Sequence, residues 1–289
     1  MCASNYARNA VSHLFLRAVA KFVSRAAGQN VNKEDLMKEV IVYGDTLPES
    51  YHKALLVLNK YGEIYPCPDW GTKQKEVSLT MFVQHPLQEP MISKLFIGGF
   101  RELEQYRQEI LDGILDFEVD RGNWSYTYHK RMSEQIPFII SELKNNPYSR
   151  RAVIDIRDWK IDSESNEPAC LQHIQYFIRD NALHCKVLFR SNDAVKATFM
   201  NAFALIMLQQ RIANELGYDV GTYTHKANSF HCYAKDYSLL NGYCSRLSTE
   251  DNDAQTYYYV GDWQDLMDEV KPEISNMVKE LMKRSHNIG

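Results

Sequence analysis

Cys170 is the residue whose type and position most favour covalent chemistry. It stands in Pro168-Ala169-Cys170, after a polar loop over 162–167 and before an apolar run, where a thiol is accessible rather than buried in a core. A deprotonated thiol is a strong nucleophile. One chemistry open to it is that of a cysteine hydrolase in which Cys170 pairs with His231, and the spacing alone does not exclude this arrangement.

Three arginines have the type and setting of an anion site. Arg150 and Arg151 are adjacent, and Arg190 begins the run Arg190-Ser191-Asn192-Asp193 directly after the apolar residues 187–189. A guanidinium presents forked donors that match a phosphate. The pattern therefore indicates phosphate binding at Arg190. For Arg150 and Arg151 taken by themselves, solvated surface side chains are the simpler interpretation.

The elements that must position these residues mix strands with helices. Apolar periodicity predicts helices over 47–61, 100–111, 136–143, 201–216 and 263–284, and strands over 76–84, 152–156, 173–178 and 184–189. Arg179-Asp180-Asn181 predicts a hairpin turn between the last two strands, and Gly217 predicts the end of the fourth helix. Helices and strands do not alternate strictly, so we expect an α+β fold in a single domain over 1–289.

Composition restricts the class of protein. The net charge of −4 argues against a general nucleic-acid binder, and no apolar run approaches the roughly 18 residues that cross a bilayer. The six cysteines show no zinc-like spacing, so we expect reduced thiols, no metal and a cytoplasmic location. The basic residues among the first thirty fit an amphipathic helix over 11–22 better than a transit peptide.

Several short motifs occur in a fixed order between residues 76 and 233. They are Ser149-Arg150-Arg151, Pro168-Ala169-Cys170, Gln175-Tyr176, Arg190-Ser191-Asn192-Asp193, Asn201 and His231-Cys232-Tyr233. This order resembles the signature of the thymidylate synthases and of the related hydroxymethylases that act on deoxycytidylate or deoxyuridylate. Upstream, residues 101–106 resemble the acidic helix that supplies a catalytic glutamate, with Glu102 the first choice and Glu104 the second. Residues 126–128 resemble the tyrosine segment near the same pocket, which makes Tyr128 a catalytic candidate.

The resemblance implies a fold, a reaction and an assembly. The fold is a mixed sheet flanked by helices, and one face of the sheet forms the interface of a homodimer. Cys170 adds to C6 of a pyrimidine nucleoside 5′-monophosphate, and C5 then receives the one-carbon unit of 5,10-methylenetetrahydrofolate. Glu102 organises water for proton transfer at the base.

The resemblance also divides the binding residues among the parts of the nucleotide. The 5′-phosphate is assigned to Arg190, Ser191 and, from the other subunit, Arg150 and Arg151. The base is assigned to Asn201 and to the backbone of Asp193. The sugar 3′-hydroxyl is assigned to His231 and Tyr233.

Asn201 reads the base in this scheme. Its amide can accept from uracil N3–H and donate to O4, or match cytosine when reversed. Cytosine-specific relatives carry Asp at this position, so we expect dUMP in preference to dCMP or CMP. Leu171 and Phe189 depart from the synthases, and the polar residues 285–289 do not resemble the apolar tail that closes over folate. We therefore expect hydroxymethylation, with a thymidylate synthase or a non-catalytic nucleotide-binding homologue as the alternatives.

Overall fold

A mixed β-sheet forms the centre of the protein, and a computed structural model describes it with its helices over residues 38–284. The strands are β1 (Glu39–Gly44), β2 (Glu63–Cys67), β3 (Thr72–Val83), β4 (Ile92–Ser93), β5 (Val153–Asp155), β6 (Leu171–Arg179), β7 (Ala182–Phe189), β8 (Asn192–Asp193), β9 (Asp219–Tyr233) and β10 (Thr256–Tyr257). The sheet runs in the order β1-β3-β9-β7-β6-β5, while β2 pairs with β3 and β8 with β9. In this part of the chain, β4 and β10 form a separate two-stranded ribbon.

Helices cover one face of this sheet. They are α1 (Leu47–Tyr61), α2 (Phe100–Asp112), α3 (Phe117–Asp120), α4 (Tyr128–Met132), α5 (Ile136–Asn145), α6 (Trp159–Asp162), α7 (Thr198–Leu216), α8 (Tyr237–Thr249) and α9 (Gln264–Arg284). α1 packs on β1 and β3, and α7 packs on β7 and β9. No helix within residues 38–284 is long and apolar enough to cross a membrane.

The start and the buried stripe of α1 follow from its sequence. The Thr46 hydroxyl accepts from the backbone N–H of Glu49, and Pro48 occupies the first turn, where a missing N–H is tolerated. Leu47, Tyr51, Leu55 and Leu58 recur at helical spacing and are fully buried. Their burial fixes α1 against the sheet.

α7 is the central helix of the core, and it carries Asn201 in its first turn. It lies between the sheet and α2, so most of its residues are buried. Gln209 Nε2 donates over 2.7 Å to the carbonyl of Leu183 on β7. The helix ends at Gly217, whose φ of 76° favours glycine, and the predicted stop is confirmed.

The predicted hairpin is also confirmed. β6 and β7 pair antiparallel, and Asp180 and Asn181 between them have φ values of 50° and 60°. Two consecutive left-handed residues form the turn type that matches the twist of two strands, and Asp and Asn tolerate that conformation. This turn sets the register that later places Cys170 beside Arg190.

The sequence prediction and the structure differ in the ends of the predicted elements and in the elements that were not predicted. All five predicted helices and four predicted strands are present, with ends shifted by up to four residues, so the α+β prediction is confirmed. The sequence did not predict β1, β2, β4, β8, β9, β10, α3, α4, α6 or α8. The strand signal of β9 is weak because its buried positions include Gly221 and His225, which are not apolar. The predicted helix over 11–22 and the tail over 285–289 lie outside the described residues, so the single domain stays a prediction.

The second face of the sheet presents apolar side chains that are half-buried or exposed. They include Ile41, Tyr43, Phe82, Phe177 and Leu188, which lie on four strands. Side chains alternate between the faces of a strand, so these residues point away from their buried neighbours. The polar residues Thr222, Thr224 and Lys226 of β9 lie on the same face, so this surface mixes apolar and polar side chains, as many protein interfaces do.

A chain of hydrogen bonds is buried beneath the sheet near residue 192. His225 Nε2 lies 2.9 Å from Asn192 Oδ1, and His225 Nδ1 lies 3.0 Å from the Tyr223 hydroxyl. An amide oxygen only accepts, so Nε2 carries the proton and Nδ1 accepts from Tyr223. Burial lowers the pKa of His225 to about 3, so the ring is neutral at pH 7. The ring also stacks on Phe189, with 4.6 Å between centroids.

We expect the His225→Phe substitution to destabilise the protein by about 1–3 kcal/mol at pH 7. The phenyl ring can still stack on Phe189, but the buried Tyr223 hydroxyl loses its acceptor. The folded pKa of His225 lies below the ordinary value near 6.5, so its contribution is complete above about pH 6.5 and is lost as the pH falls towards 3. Urea unfolding should show wild type losing about 2 kcal/mol from this group between pH 7 and pH 5.

The matched control is His85→Phe, which makes the same change on an exposed loop. It should leave the free energy of unfolding and its pH dependence close to wild type. If His225→Phe retained the full wild-type loss between pH 7 and pH 5, His225 would not be the buried neutral group described above.

Candidate active site

Cys170 and Arg190 meet where β6 begins and β7 ends. The strand register pairs Leu171 with Phe189, so the residues just beyond them are neighbours. The backbone N–H of Arg190 donates to the carbonyl of Cys170 over 2.8 Å. Hairpin geometry alone therefore brings together a thiol and a guanidinium that are 20 positions apart in the sequence.

The Arg190 side chain holds the loop that carries the thiol. Its Nε donates to the carbonyl of Ala169 over 3.1 Å, and an η nitrogen donates to the carbonyl of Pro168 over 2.8 Å. These bonds close the turn before Cys170. Arg190 therefore fixes where the sulfur lies, in addition to placing positive charge near it.

Burial controls the resting state of Cys170. Burial raises the pKa of this thiol above its ordinary value, and the nearby charge of Arg190 lowers it by less. Desolvation of the thiol therefore outweighs the neighbouring positive charge. The free protein therefore holds Cys170 mainly as a thiol at neutral pH.

Three tyrosines lie close to the sulfur. Tyr128 accepts a hydrogen bond at its hydroxyl from the backbone N–H of Leu171 over 3.3 Å. Tyr126 contacts Tyr128 at 5.6 Å between ring centroids. Burial raises the pKa of Tyr106, Tyr126 and Tyr128, and a negative charge on Cys170 contributes to each increase. Tyr106, Tyr126 and Tyr128 thus form a polar but uncharged surface beside the thiol, which we call the tyrosine wall.

Asn201 joins this wall from α7. Its side chain is buried, and its Oδ1 accepts a hydrogen bond from the hydroxyl of Tyr106 on α2. Tyr106 was not selected from the sequence as a site residue. The sequence carries no signal that distinguishes it, because only the packing of α2 against α7 places Tyr106 next to Asn201.

His231 and Tyr233 lie at the end of β9, next to Ser191. His231 Nδ1 lies 3.3 Å from the carbonyl of Ser229 and 3.4 Å from the Ser191 hydroxyl. A carbonyl only accepts, so Nδ1 carries the proton and Nε2 is left as an acceptor. Nε2 is buried and has no partner among residues 38–284. The ring of Tyr233 contacts His231 at 4.8 Å, and burial raises the pKa of Tyr233 to about 12.

Burial determines the charge state of His231, as it does that of Cys170. Burial lowers the pKa of His231, and the carboxylate of Asp193 opposes this shift. Asp193 itself has a raised pKa because it is buried, although its Oδ1 accepts from the backbone N–H groups of Val195 and Lys196. Asp193 therefore caps the turn into α7, and a neutral His231 offers Nε2 to a hydroxyl donor.

Three acidic residues of α2 have different environments. Glu102 is exposed, and its carboxylate accepts from the backbone N–H of Gly99 at the start of the helix. Glu104 is buried and accepts two 2.7 Å bonds from Arg107. Glu109 is half-buried, and burial raises its pKa while the amide of Gln105 opposes the increase. Of the three, only Glu109 lines the cavity described next.

A cavity of about 710 Å³ opens beside the tyrosine wall. Its lining is aromatic with scattered polar groups, and comprises Tyr106, Glu109, Ile110, Leu115, Asn123, Trp124, Ser125, Tyr126, Thr127, Tyr128, Ser165, Asn166 and Glu167. Aromatic walls with a few polar groups, at this volume, are typical of a small-molecule site. The tyrosines connect this cavity to Cys170 and Asn201.

Comparison with known proteins identifies the family. The thymidylate synthase family model matches residues 101–260. A protein of Methanocaldococcus jannaschii provisionally named thymidylate synthase is 31% identical over 214 residues, covering 68% of this chain and 93% of the relative. The chain belongs to the thymidylate synthase family. Members of this family are enzymes that transfer one-carbon units, and this chain is one of them. The family uses methylenetetrahydrofolate as co-substrate.

Further members of the thymidylate synthase family agree with this assignment. Thymidylate synthase 1 of Bacillus subtilis is 29% identical over 151 residues, covering 50% of this chain and 52% of that enzyme. The solved structure of the thermostable thymidylate synthase A from Bacillus subtilis superposes with a TM-score of 0.56 at 16% identity, covering 69% of this chain and 84% of that one. At this identity the structural match shows the fold, and the predicted fold class is confirmed.

Arg150 and Arg151 lie away from the other site residues within one chain. Both are exposed, and Arg151 forms an ion pair with Glu142 at 3.0 Å. The backbone pairs Ala152 with Tyr176, six residues along β6 from Cys170. At the rise of a strand this separation is about 20 Å. Within one subunit, these arginines and Cys170 therefore do not form a single site.

The geometry gives less support to two other kinds of site, that of a cysteine hydrolase and that of a metal centre. The ring nitrogen contacts of His231 go to Ser191 and Ser229, so the Cys170–His231 couple of a hydrolase is not formed. Within the part of the chain that the structure describes, no group of three or more His, Cys, Asp or Glu side chains is placed to hold a metal ion.

We expect Arg190→Gln to slow the alkylation of Cys170 by iodoacetamide about three- to tenfold at pH 8. Removing the guanidinium takes away the charge that lowers the thiol pKa, so the thiolate fraction falls. Peptide mass spectrometry over pH 7–10 should show the rate rising at a higher pH in the variant. Lys144→Gln on α5 is the control, and it should match wild type. An unchanged rate in Arg190→Gln would contradict the electrostatic role of Arg190.

Proposed function

We propose that this enzyme transfers a one-carbon unit from 5,10-methylenetetrahydrofolate to C5 of dUMP, with Cys170 as the nucleophile. The observation that carries the proposal is the convergence of Cys170, Arg190, Asn201 and His231. These four residues come from separate segments, and contacts through Ser191 and the tyrosine wall connect them. The four groups match the parts of a pyrimidine nucleotide. The thiol can attack C6, the guanidinium can bind the phosphate, the amide can bind the base edge, and the histidine nitrogen can accept from the sugar hydroxyl.

The nucleotide would be held by its phosphate and its sugar. Arg190 and Ser191 supply donors to the 5′-phosphate, since a guanidinium matches a phosphate in geometry and charge. His231 Nε2 is a buried acceptor without a partner among the described residues, and a sugar 3′-hydroxyl is a donor of the right chemistry. Tyr233 stands against the same ring. Fixing both ends would orient the base over Cys170.

The reaction begins with the base bound at Asn201. The Cys170 thiol loses its proton and adds to C6, which makes C5 nucleophilic. C5 then forms a bond to the methylene carbon, the carbon–nitrogen bond to the folate breaks, and C5 loses its proton. Asn201 would donate to O4, where negative charge develops during the addition. Glu102 is the proposed proton-transfer residue from the family resemblance, and Glu109 is the carboxylate that faces the cavity.

We assign the 710 Å³ cavity to the folate. Aromatic side chains such as Trp124 and Tyr126 suit the flat ring system of a pteridine, and the cavity adjoins the tyrosines around Cys170. Tyr128 is shared between the cavity and the Cys170 loop. The two substrates would therefore meet at the tyrosine wall.

The proposed product is the hydroxymethylated nucleotide. Water adds to the exocyclic methylene group at C5, tetrahydrofolate is released, and the thiolate leaves C6. The polar residues of the cavity, including the half-buried Glu109 and the exposed Asn123, are compatible with a water molecule near the reacting carbon. Thymidylate is the second candidate, favoured by the names of the archaeal and Bacillus relatives. In that case a hydride from the folate replaces the water and dihydrofolate is released.

Incubation with 5-fluoro-dUMP and methylenetetrahydrofolate should give a covalent ternary adduct detectable by protein mass. Fluorine cannot leave C5 as a proton does, so the reaction stops with Cys170 still bound to C6. Cys170→Ser should form no adduct and lose turnover, yet bind dUMP within about threefold of wild type, since the phosphate and base contacts do not involve sulfur. A serine variant with a tenth of wild-type activity would refute the nucleophile assignment. A cysteine hydrolase or a non-catalytic homologue would form no such adduct.

The product is then identified from its mass with dUMP, dCMP and CMP as substrates. A gain of CH2O over dUMP supports hydroxymethylation. A gain of CH2, with dihydrofolate appearing in step with product, shows a thymidylate synthase instead.

A homodimer with shared sites is proposed from two features. The second face of the sheet carries half-buried or exposed apolar side chains such as Ile41 and Tyr43, and Arg150 and Arg151 lie about 20 Å from Cys170 along β6. A two-fold partner that covers this face could supply its arginines to the phosphate. The proposal also explains why two adjacent arginines are exposed and distant from their own Cys170.

Mixing two inactive variants should test the shared site. Cys170→Ala lacks the nucleophile, and Arg150→Ala/Arg151→Ala lacks the donated arginines. After subunit exchange, half of the dimers are hybrids and one of their two sites is intact, so about a quarter of wild-type activity should return. Native mass spectrometry verifies the exchange. Hybrid dimers without any recovered activity would contradict sites built from both subunits.

A further inference from the structure

The Tyr106–Asn201 hydrogen bond links α2 to the residue proposed to read the base. Tyr106 is the donor and Asn201 Oδ1 is the acceptor. The Asn201 side chain is buried, with 6% of its surface exposed, so its amide does not reorient in bulk water. Tyr106 is also close enough to Cys170 for the charge of a thiolate to raise its pKa further, after the larger effect of burial. The bond thus lies near Cys170, the proposed nucleophile.

An asparagine amide has two orientations of nearly equal shape and opposite hydrogen-bond character. One orientation accepts where uracil N3 donates and donates where O4 accepts. The reversed orientation matches cytosine, whose N3 accepts and whose amino group donates. An amide that turns freely would therefore accept both bases. Something in the protein must set its orientation if the enzyme is to select one.

We propose that Tyr106 fixes the orientation of the Asn201 amide and thereby makes the site select uracil over cytosine. This inference rests on the proposed function, in which dUMP is the substrate. Reversing the amide would place its NH2 group against the Tyr106 hydroxyl, and the phenolic proton would lose Oδ1, the acceptor that it has in the described structure. Tyr106 is thus a positioning residue that acts on the base through Asn201.

The surroundings of Tyr106 favour a phenol that donates. Burial is the main cause that raises the pKa of Tyr106 and keeps the phenol protonated, and the neighbouring Glu109, Tyr126 and Cys170, each of which would be negative if ionised, add to it. Glu109 already accepts from Gln105 over 2.9 Å, one turn before it on α2. A phenol that stays protonated always requires an acceptor, and Asn201 Oδ1 provides it.

The test is the ratio of the dissociation constants for dCMP and dUMP, measured by calorimetric titration without folate. Wild type should favour dUMP by tenfold or more. Tyr106→Phe should lower this ratio about tenfold, towards parity, because both amide orientations become available. Affinity for dUMP itself should fall by less than about threefold, since one orientation still fits. Tyr106→Leu should lower the ratio in the same way, so the test does not depend on one variant.

Two controls separate this role from general damage to the site. Tyr65→Phe removes the same hydroxyl from an exposed tyrosine on β2, which does not line the cavity, and it should keep the wild-type ratio. In an Asn201→Ala background, Tyr106→Phe should change the ratio no further, because the two residues act as one unit. A further change in that background would show that Tyr106 acts on the base by another route and would overturn the proposal.

The outcomes distinguish this proposal from the function on which it rests. Wild type that favours dUMP, with a Tyr106→Phe variant that keeps the full preference, overturns the role of Tyr106 and leaves the function standing. Wild type that favours dCMP, with the preference lost in Tyr106→Phe, shows that Tyr106 orients the amide for cytosine, and it overturns both the uracil selection proposed here and the assignment of dUMP. Binding of neither nucleotide overturns both.

Discussion

The contact between Arg190 and the loop before Cys170 is the interaction on which the candidate active site depends. Arg190 donates from its backbone to Cys170 and from its guanidinium to Pro168 and Ala169. The next residue along, Ser191, contacts His231, and Asp193 caps the turn into α7, which carries Asn201. Because one short segment makes all these contacts, the end of β7 sets the positions of nucleophile, sugar acceptor and base reader together.

Burial and charge oppose each other at this segment, and burial prevails. It raises the pKa of Cys170 despite Arg190, and lowers the pKa of His231 despite Asp193. The free site is therefore prepared with neutral groups, whose hydrogen-bonding roles are definite. In the proposed reaction the thiolate would form only as the sulfur attacks C6, which limits side reactions of an exposed anion with other electrophiles.

The sequence predicted most of the fold because local signals agreed with the tertiary structure. Asp180-Asn181 formed the expected turn, and Gly217 ended the expected helix. It did not predict β9, because two of the residues on the buried face of that strand, Gly221 and His225, are not apolar and the alternating hydrophobic signal is therefore weak. The candidate residues were selected by motif, but Tyr106 and Glu109 were not, because only the packing of α2 against α7 shows that they face the cavity and Asn201.

Hydrogen-bond direction, rather than net charge, is what this structure controls most closely. Asn192 Oδ1 makes His225 carry its proton on Nε2, and the Ser229 carbonyl makes His231 carry its proton on Nδ1. Tyr106 imposes the same kind of choice on the Asn201 amide. In each case a group of known polarity decides the orientation of an ambiguous one. A buried site organised in this way can distinguish ligands of equal size and charge, because a reversed donor and acceptor leaves a polar group unpaired, which costs about 1–3 kcal/mol.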